Sequence, residues 1–168
     1  VSGQRVLLRG PNSPWLAACW FAVLKAGGIC VTTMPMLRAK ELEYVIGKAK
    51  VDVALCAAAC LDELLQAQKS SSQLKTLLTF GRQNPVNDDL EVRMRAMPQA
   101  FDNVASAAED VALIGFTSGT TGKAKATMHF HRDVLAICDA FPKSVLKPTA
   151  DDVFCGTPPL AFTFGLGG

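Results

Sequence analysis

The sequence predicts an α/β fold, a mostly parallel sheet with helices on both faces. Three features carry this prediction. Short aliphatic or β-branched runs alternate with helix-length segments from residue 6 to residue 80. The connections between them are short, and the breaks fall at glycine, proline or serine.

In chain order, residues 6–9 read as a first strand. Gly10-Pro11-Asn12-Ser13-Pro14 is a turn, with Ser13 as N-cap and Pro14 at the first helical position. Residues 15–25 form a helix that is apolar nearly all round, the pattern of a well-buried element, and Gly27-Gly28 stops it. Ile29–Thr33 is a second strand, rich in β-branched residues. After the break at Pro35, residues 38–50 form a helix with Leu42, Val45, Ile46 and Ala49 on one face. Residues 51–56 make a third strand, 60–69 a third helix and 74–80 a fourth strand, with Ser70-Ser71-Ser72 as a loop.

Residues 81–109 break the rhythm. They are polar, contain Pro85 and Pro98, and lack sustained periodicity, so they read as a surface excursion with one short helix over Leu90–Arg95. Residues 111–116 form another strand. A glycine-rich loop follows, then a strand over 127–131 and a helix over 132–146 with Asp133 near its start. Pro148 ends that helix, and 152–155 reads as one more strand.

Composition excludes several function classes. The formal net charge of +2 is too small for nucleic acid or an anionic membrane as partner. The apolar stretch 15–26 is too short to span a bilayer and contains Lys25. A strand-like run at the start, in place of a leader, makes the cytoplasm the default. The six cysteines form no CxxC pair and most sit in apolar surroundings, which fits small buried hydrophobes in a reducing compartment. His129 and His131, two apart, would share one face of a strand, but no cysteine or carboxylate stands near them at zinc-ligand spacing. The sequence starts at Val1, and its last residues, Phe162-Thr163-Phe164-Gly165-Leu166-Gly167-Gly168, are apolar and glycine-rich, so it is read as an internal piece of a longer protein.

The chemistry concentrates in Thr117-Ser118-Gly119-Thr120-Thr121-Gly122-Lys123-Ala124-Lys125. Glycines let the backbone approach a ligand, successive N–H groups make an anion nest, hydroxyls add donors and lysines add charge. The preceding strand would present this loop at the carboxyl edge of the sheet, where ligands of open α/β sheets bind. A triphosphate is the natural guest. A nucleotide-hydrolase P-loop, GxxxxGK[ST], is disfavoured: Thr117 stands at its first glycine, Ala124 follows Lys123, and a strand rather than a helix comes next. A surface linker is disfavoured by the two apolar strands that frame the loop.

Ile114-Gly115-Phe116-Thr117-Ser118-Gly119-Thr120-Thr121-Gly122-Lys123-Ala124-Lys125 resembles the phosphate-loop signature of the adenylate-forming superfamily of acyl-CoA synthetases, luciferases and peptide-synthetase adenylation domains. The usual form ends Gly-x-Pro-Lys-Gly; here Ala124 replaces the proline and Ala126 the last glycine, while Gly122 and Lys125 are kept. Met128-His129-Phe130-His131 resembles the His-x-His stretch that often follows. The segment from Asn12 to Gly28 is similar to the early helix of these enzymes. Pro158-Pro159-Leu160-Ala161-Phe162-Thr163-Phe164-Gly165 is similar to the next motif, usually Pro-Leu-Phe-His-x-x-Gly, with Phe162 at the histidine position. That run looks most like benzoate-type and 2-aminobenzoate-CoA ligases.

The resemblance implies the large N-terminal domain of such an enzyme, with 1–80 as βα repeats, 81–109 as the excursion, and 110–168 as phosphate loop and start of an acyl-pocket segment. It implies activation of a small-molecule carboxylate with ATP and Mg²⁺ to an acyl-adenylate, then thioester formation with coenzyme A. The aryl-type motif implies an acid such as benzoate or 2-aminobenzoate. Thr117, Ser118, Gly119, Thr120, Thr121, Gly122, Lys123 and Lys125 would bind the ATP phosphates, and Ala161, Phe162 and Gly165 would wall the acyl pocket. No residue is assigned to a metal or to a covalent nucleophile. The adenine, ribose and catalytic-lysine elements of the family lie outside this sequence, so these residues alone are expected to be inactive. A non-catalytic nucleotide-binding module is the alternative.

Overall fold

The computed structural model describes residues 2–87, 89–117, 124–162 and 165–166. Four βα units open the chain: β1 (Arg5–Arg9) and α1 (Pro14–Lys25), β2 (Ile29–Thr33) and α2 (Ala39–Ala49), β3 (Val53–Ala57) and α3 (Leu61–Ser70), then β4 (Thr76–Phe80) and the short α4 (Leu90–Arg95). A 3-10 turn, Ala58–Cys60, leads into α3. β5 (Val111–Thr117), β6 (Lys125–Phe130) and α5 (His131–Asp139) follow, and a π-helical turn, Pro142–Leu146, continues from α5.

The sheet has the order β4-β3-β1-β2-β5-β6. The first five strands are parallel, and β6 returns antiparallel on the edge beside β5. An antiparallel pair needs only a short connection, whereas parallel neighbours need a crossover. The glycine-rich segment is that short connection.

Alternation along the strands sends side chains to two cores. Leu7, Val31, Ala54, Cys56 and Ile114 face α2 and α3, meeting Leu42, Ile46 and Leu64. Leu8, Cys30, Leu55, Leu113 and Phe80 lie in the opposite core with Leu16, Cys19 and Val23 of α1. Helices therefore cover both faces, as the alternating pattern predicts. Full burial of each large aliphatic side chain stabilises by about 1.5–3 kcal/mol.

Local signals set the helix ends. The Ser13 hydroxyl accepts from the Leu16 N–H at 3.1 Å, and Pro14 opens α1. Gly27, at φ +71°, ends it, with its N–H on Leu24 O and the Gly28 N–H on Val23 O. A Cβ on Gly27 would meet Val104 Cγ1 at 2.8 Å, so the excursion folds back against this glycine, and Val104 N donates to Lys25 O at 2.9 Å.

Several expectations need correction. The helix over 15–25 is not buried all round: Leu16, Cys19 and Val23 are buried, while Phe21 is 60% exposed. The helix over 132–146 is not continuous. α5 stops at Asp139, and the chain widens into the π turn at Pro142, which has no N–H to donate and crowds the carbonyl four residues back. The last strand ends at Phe130, and Asp133 Oδ2 accepts the Phe130 N–H at 2.8 Å, so His131 opens α5. His129 and His131 therefore do not share a strand face. Residues 152–155 form no strand: Val153 is 95% exposed, and the Asp152 carboxylate accepts from the Thr149 N–H and hydroxyl, which curls the chain instead. Of the six cysteines, Cys138 and Cys155 are exposed, against the expectation of burial.

Candidate functional site

The carboxyl ends of β1, β2, β3 and β5 lie along one edge of the sheet, and the glycine-rich segment leaves from that edge. Thr117 closes β5 and Lys125 opens β6, and the two are direct cross-strand partners. Opposed residues of an antiparallel pair project to the same side, so the hydroxyl and the ammonium share one face at the base of the loop. Lys125 is exposed. Ser118, Gly119, Thr120, Thr121, Gly122 and Lys123 lie outside the described residues.

A cleft of about 550 Å³ opens between these flanks and the end of the chain. Thr32, Thr33, Tyr44, Thr117, Ala161 and Phe162 line it, with Ala124 beside them. Lys40 and Glu41 bring charge to the same wall. Beside it lies a smaller apolar cavity of about 170 Å³, walled by Leu8, Trp20, Phe21, Leu160 and Leu166. Thr32 and Ala161 line both spaces, so Ala161, itself buried, forms part of the partition between them.

Of the residues assigned to an acyl wall, Ala161 and Phe162 line the cleft and Gly165 lines neither space. Phe162 is 39% exposed. Gly165 has a steric role: a Cβ there would collide with the carbonyl of Pro159.

Three residues that shape the edge escape a reading of local pattern. Arg9, at the end of β1, is 1% exposed. It donates to Cys60 O (3.0 Å), Met34 O (2.8 Å), Pro35 O (2.8 Å) and Leu37 O (2.9 Å). One guanidinium thus gathers the β2–α2 connection and the start of α3 around the strand end. Asn12 holds the far segment with both halves of its amide: Nδ2 donates to Pro158 O at 3.0 Å and Oδ1 accepts from Leu160 N at 2.8 Å. Tyr44 of α2 donates from its hydroxyl to Ala124 O at 2.9 Å. The available signals were Arg9 itself, a charged residue closing the aliphatic run Val6-Leu7-Leu8, and Asn12, which opens the segment similar to the family's early helix.

The buried thiols offer no nucleophile. Burial pushes Cys19 up to about 11 and Cys56 up to about 12, and raises Cys30 further, so all three stay protonated at neutral pH. Glu63 carries a different charge role. Its carboxylate accepts from Arg38 Nη1 at 2.9 Å and Ala39 N at 2.8 Å, which holds its pKa below the usual range and ties α3 to the first turn of α2. Among the described residues, no helix is long and apolar enough to cross a membrane.

The profile described as "AMP-binding enzyme" matches residues 1–168. Anthranilate–CoA ligase of Pseudomonas aeruginosa is 30% identical over 169 residues, covering 98% of this chain and 31% of that protein. The 3-hydroxybenzoate–CoA/4-hydroxybenzoate–CoA ligase of Thauera aromatica is 31% identical over 169 residues, covering 98% and 32%. The crystal structure of the anthranilate CoA ligase AuaEII in complex with anthranoyl-AMP superposes with a TM-score of 0.91 at 25% identity, over 99% of this chain and 32% of that one. The chain spans about a third of the length of these curated relatives.

Proposed function

The chain belongs to the AMP-binding enzyme family, and from that premise we propose that the whole protein is an acid–thiol ligase that activates an aryl acid through its adenylate. In the first step, the acid's carboxylate oxygen attacks the α-phosphorus of ATP and pyrophosphate leaves. In the second, the thiol of coenzyme A attacks the acyl carbon and AMP leaves. ATP, with Mg²⁺ carried on its phosphates, and coenzyme A are the co-substrates. No residue of this chain is assigned to the metal.

The observation that carries the proposal is the single cleft in which both flanks of the glycine-rich loop, Thr117 and Ala124, face Ala161 and Phe162. A nucleotide held by the loop and an acid held by the 158–162 segment would meet there. In this proposal the residues from Thr117 to Lys123 and Lys125 bind the phosphates. Their amides, hydroxyls and ammonium groups stabilise charge as it develops on the departing pyrophosphate. Ala161 and Phe162 shape the acyl side, where a flat apolar wall suits a planar ring better than a long chain. Two relatives point the same way, since their names specify anthranilate and hydroxybenzoates.

The test is a panel of carboxylates offered to the intact protein with ATP and coenzyme A, scored by AMP release and thioester formation. Turnover should be highest with 2-aminobenzoate or a benzoate. A preference for acetate or a long-chain fatty acid would reject the aryl assignment. ATP binding with no turnover of any acid would favour a non-catalytic nucleotide-binding module instead.

A further inference from the structure

The glycine-rich segment joins two strands at the edge of the sheet, and one side chain from outside the hairpin touches both of its flanks. The Tyr44 ring meets Phe116, the penultimate residue of β5, edge to face, with centroids 6.5 Å apart and planes at 77°. Its hydroxyl donates to the carbonyl of Ala124, the residue just before β6, at 2.9 Å. We propose that Tyr44 is a positioning residue for the loop, pinning its two flanks to α2.

The helix is a suitable platform. Leu42, Val45, Ile46 and Ala49 bury its inner face. Its first turn is fixed by Glu41 on the Arg38 N–H at 2.8 Å and by Glu63 on the Ala39 N–H at 2.8 Å. Tyr44 itself stays 37% exposed, so its ring is not there to fill the core. Phe116 and Ala126, which are opposed in the hairpin, pack on the same core as α2. The ring contact therefore extends that packing, and the hydroxyl adds a directional hold one residue beyond the last strand pair, Thr117 and Lys125. Ala124 needs such a hold. Alanine leaves φ free, whereas a proline there would fix it through its own ring. A loop whose downstream flank wanders presents its amides and hydroxyls to an anion less often, and apparent affinity falls by the fraction of time spent out of place.

The nucleotide effect rests on the adenylating function proposed above, but the tether does not. Two readouts keep them apart. In the intact protein, Tyr44→Phe keeps the ring and removes only the hydroxyl. Hydrogen exchange at the amides of Lys125 and Ala126 should quicken about 2- to 12-fold, the range spanned by losing one neutral hydrogen bond. KM for ATP should rise within the same range of about 2- to 12-fold, and by more than KM for the carboxylate. Adding Ala124→Pro to Tyr44→Phe should bring both readouts back toward wild type. Unchanged exchange in Tyr44→Phe would overturn the tether, whatever the protein's activity proves to be. Faster exchange with an unchanged KM for ATP would overturn its role in placing the loop for nucleotide. A double variant as loose as Tyr44→Phe alone would likewise count against the hold at Ala124.

Discussion

Replacing Arg9 by Met probes the most concentrated set of polar contacts at the edge of the sheet. Methionine preserves much of the stem's packing but takes the guanidinium from the carbonyls of Met34, Pro35, Leu37 and Cys60, of which Met34 O still accepts from the Leu37 N–H at 3.2 Å. A buried acceptor left unpaired costs about 1–3 kcal/mol. These bonds are partly buried, so water reaches some of the freed oxygens. Taking roughly 1 kcal/mol for each of the other three gives about 3 kcal/mol. Relief of the desolvation of a buried guanidinium offsets part of that, leaving about 2 kcal/mol. Arg9→Lys retains the charge, but a single ammonium cannot span carbonyls that the guanidinium reaches through three nitrogens, so about 1 kcal/mol should be lost. Urea denaturation of the intact protein measures this, with midpoints falling in the order wild type, Lys, Met at constant slope. A Met variant within about 0.5 kcal/mol of wild type would refute the view that this guanidinium organises the edge. Because Met34 and Leu37 line the cleft, the same variants should also weaken substrate binding.

Three further outcomes follow. Lys125→Ala removes the cation that shares a face with Thr117; loss of one charge-assisted contact, about 1.5–3 kcal/mol, should slow adenylation ten- to a hundredfold on the order of that energy, and unchanged steady-state kinetics would remove Lys125 from the site. Phe162→Ala should raise KM for an aryl acid by roughly fivefold while leaving that for ATP alone, a modest effect because the ring is 39% exposed; parallel rises in both constants would contradict an acyl-side role. The third outcome concerns Asp89, buried beside β4. Its carboxylate accepts from the Thr79 hydroxyl, from Val86 N at 2.8 Å and from Arg82 Nε at 2.9 Å, which lowers its pKa below the ordinary 3.8. A lowered folded pKa gives stability that is present above pH 3.8 and lost as pH falls through the folded value. Thermal melts should therefore show Asp89→Asn less stable than wild type near neutrality, with the gap closing in acid; a gap independent of pH would contradict that linkage.

The fold was legible because its signals are local. Ser13 with Pro14, Gly27 with Gly28, and the stripe Leu42, Val45, Ile46 and Ala49 each announce an element within a few residues. The short helix Leu90–Arg95 could be placed even inside a polar excursion. Misreadings arose where a local pattern had a competitor. Asp133 caps a helix at Phe130 and takes His131 out of the strand, Pro142 interrupts an otherwise helical run, and the β-prone residues 152–155 find no strand to pair with among the described residues. The loop was legible because glycines, hydroxyls and lysines crowd nine positions. Its supports were not, because they act across the chain: Tyr44 reaches a residue 80 positions away, Asn12 residues 146 and 148 away, and Arg9 residues 25 to 51 away. No periodicity encodes contacts of that range.

The central claim, that this chain supplies the phosphate loop of an adenylating enzyme, is tested most directly by isotope exchange. The intact protein is incubated with ATP, labelled pyrophosphate and 2-aminobenzoate, in the absence of coenzyme A. Reversible adenylate formation predicts label entering ATP only when the acid is present, and much less label in Lys125→Ala. Exchange that is absent with every carboxylate tried, in protein that still binds ATP, would contradict it.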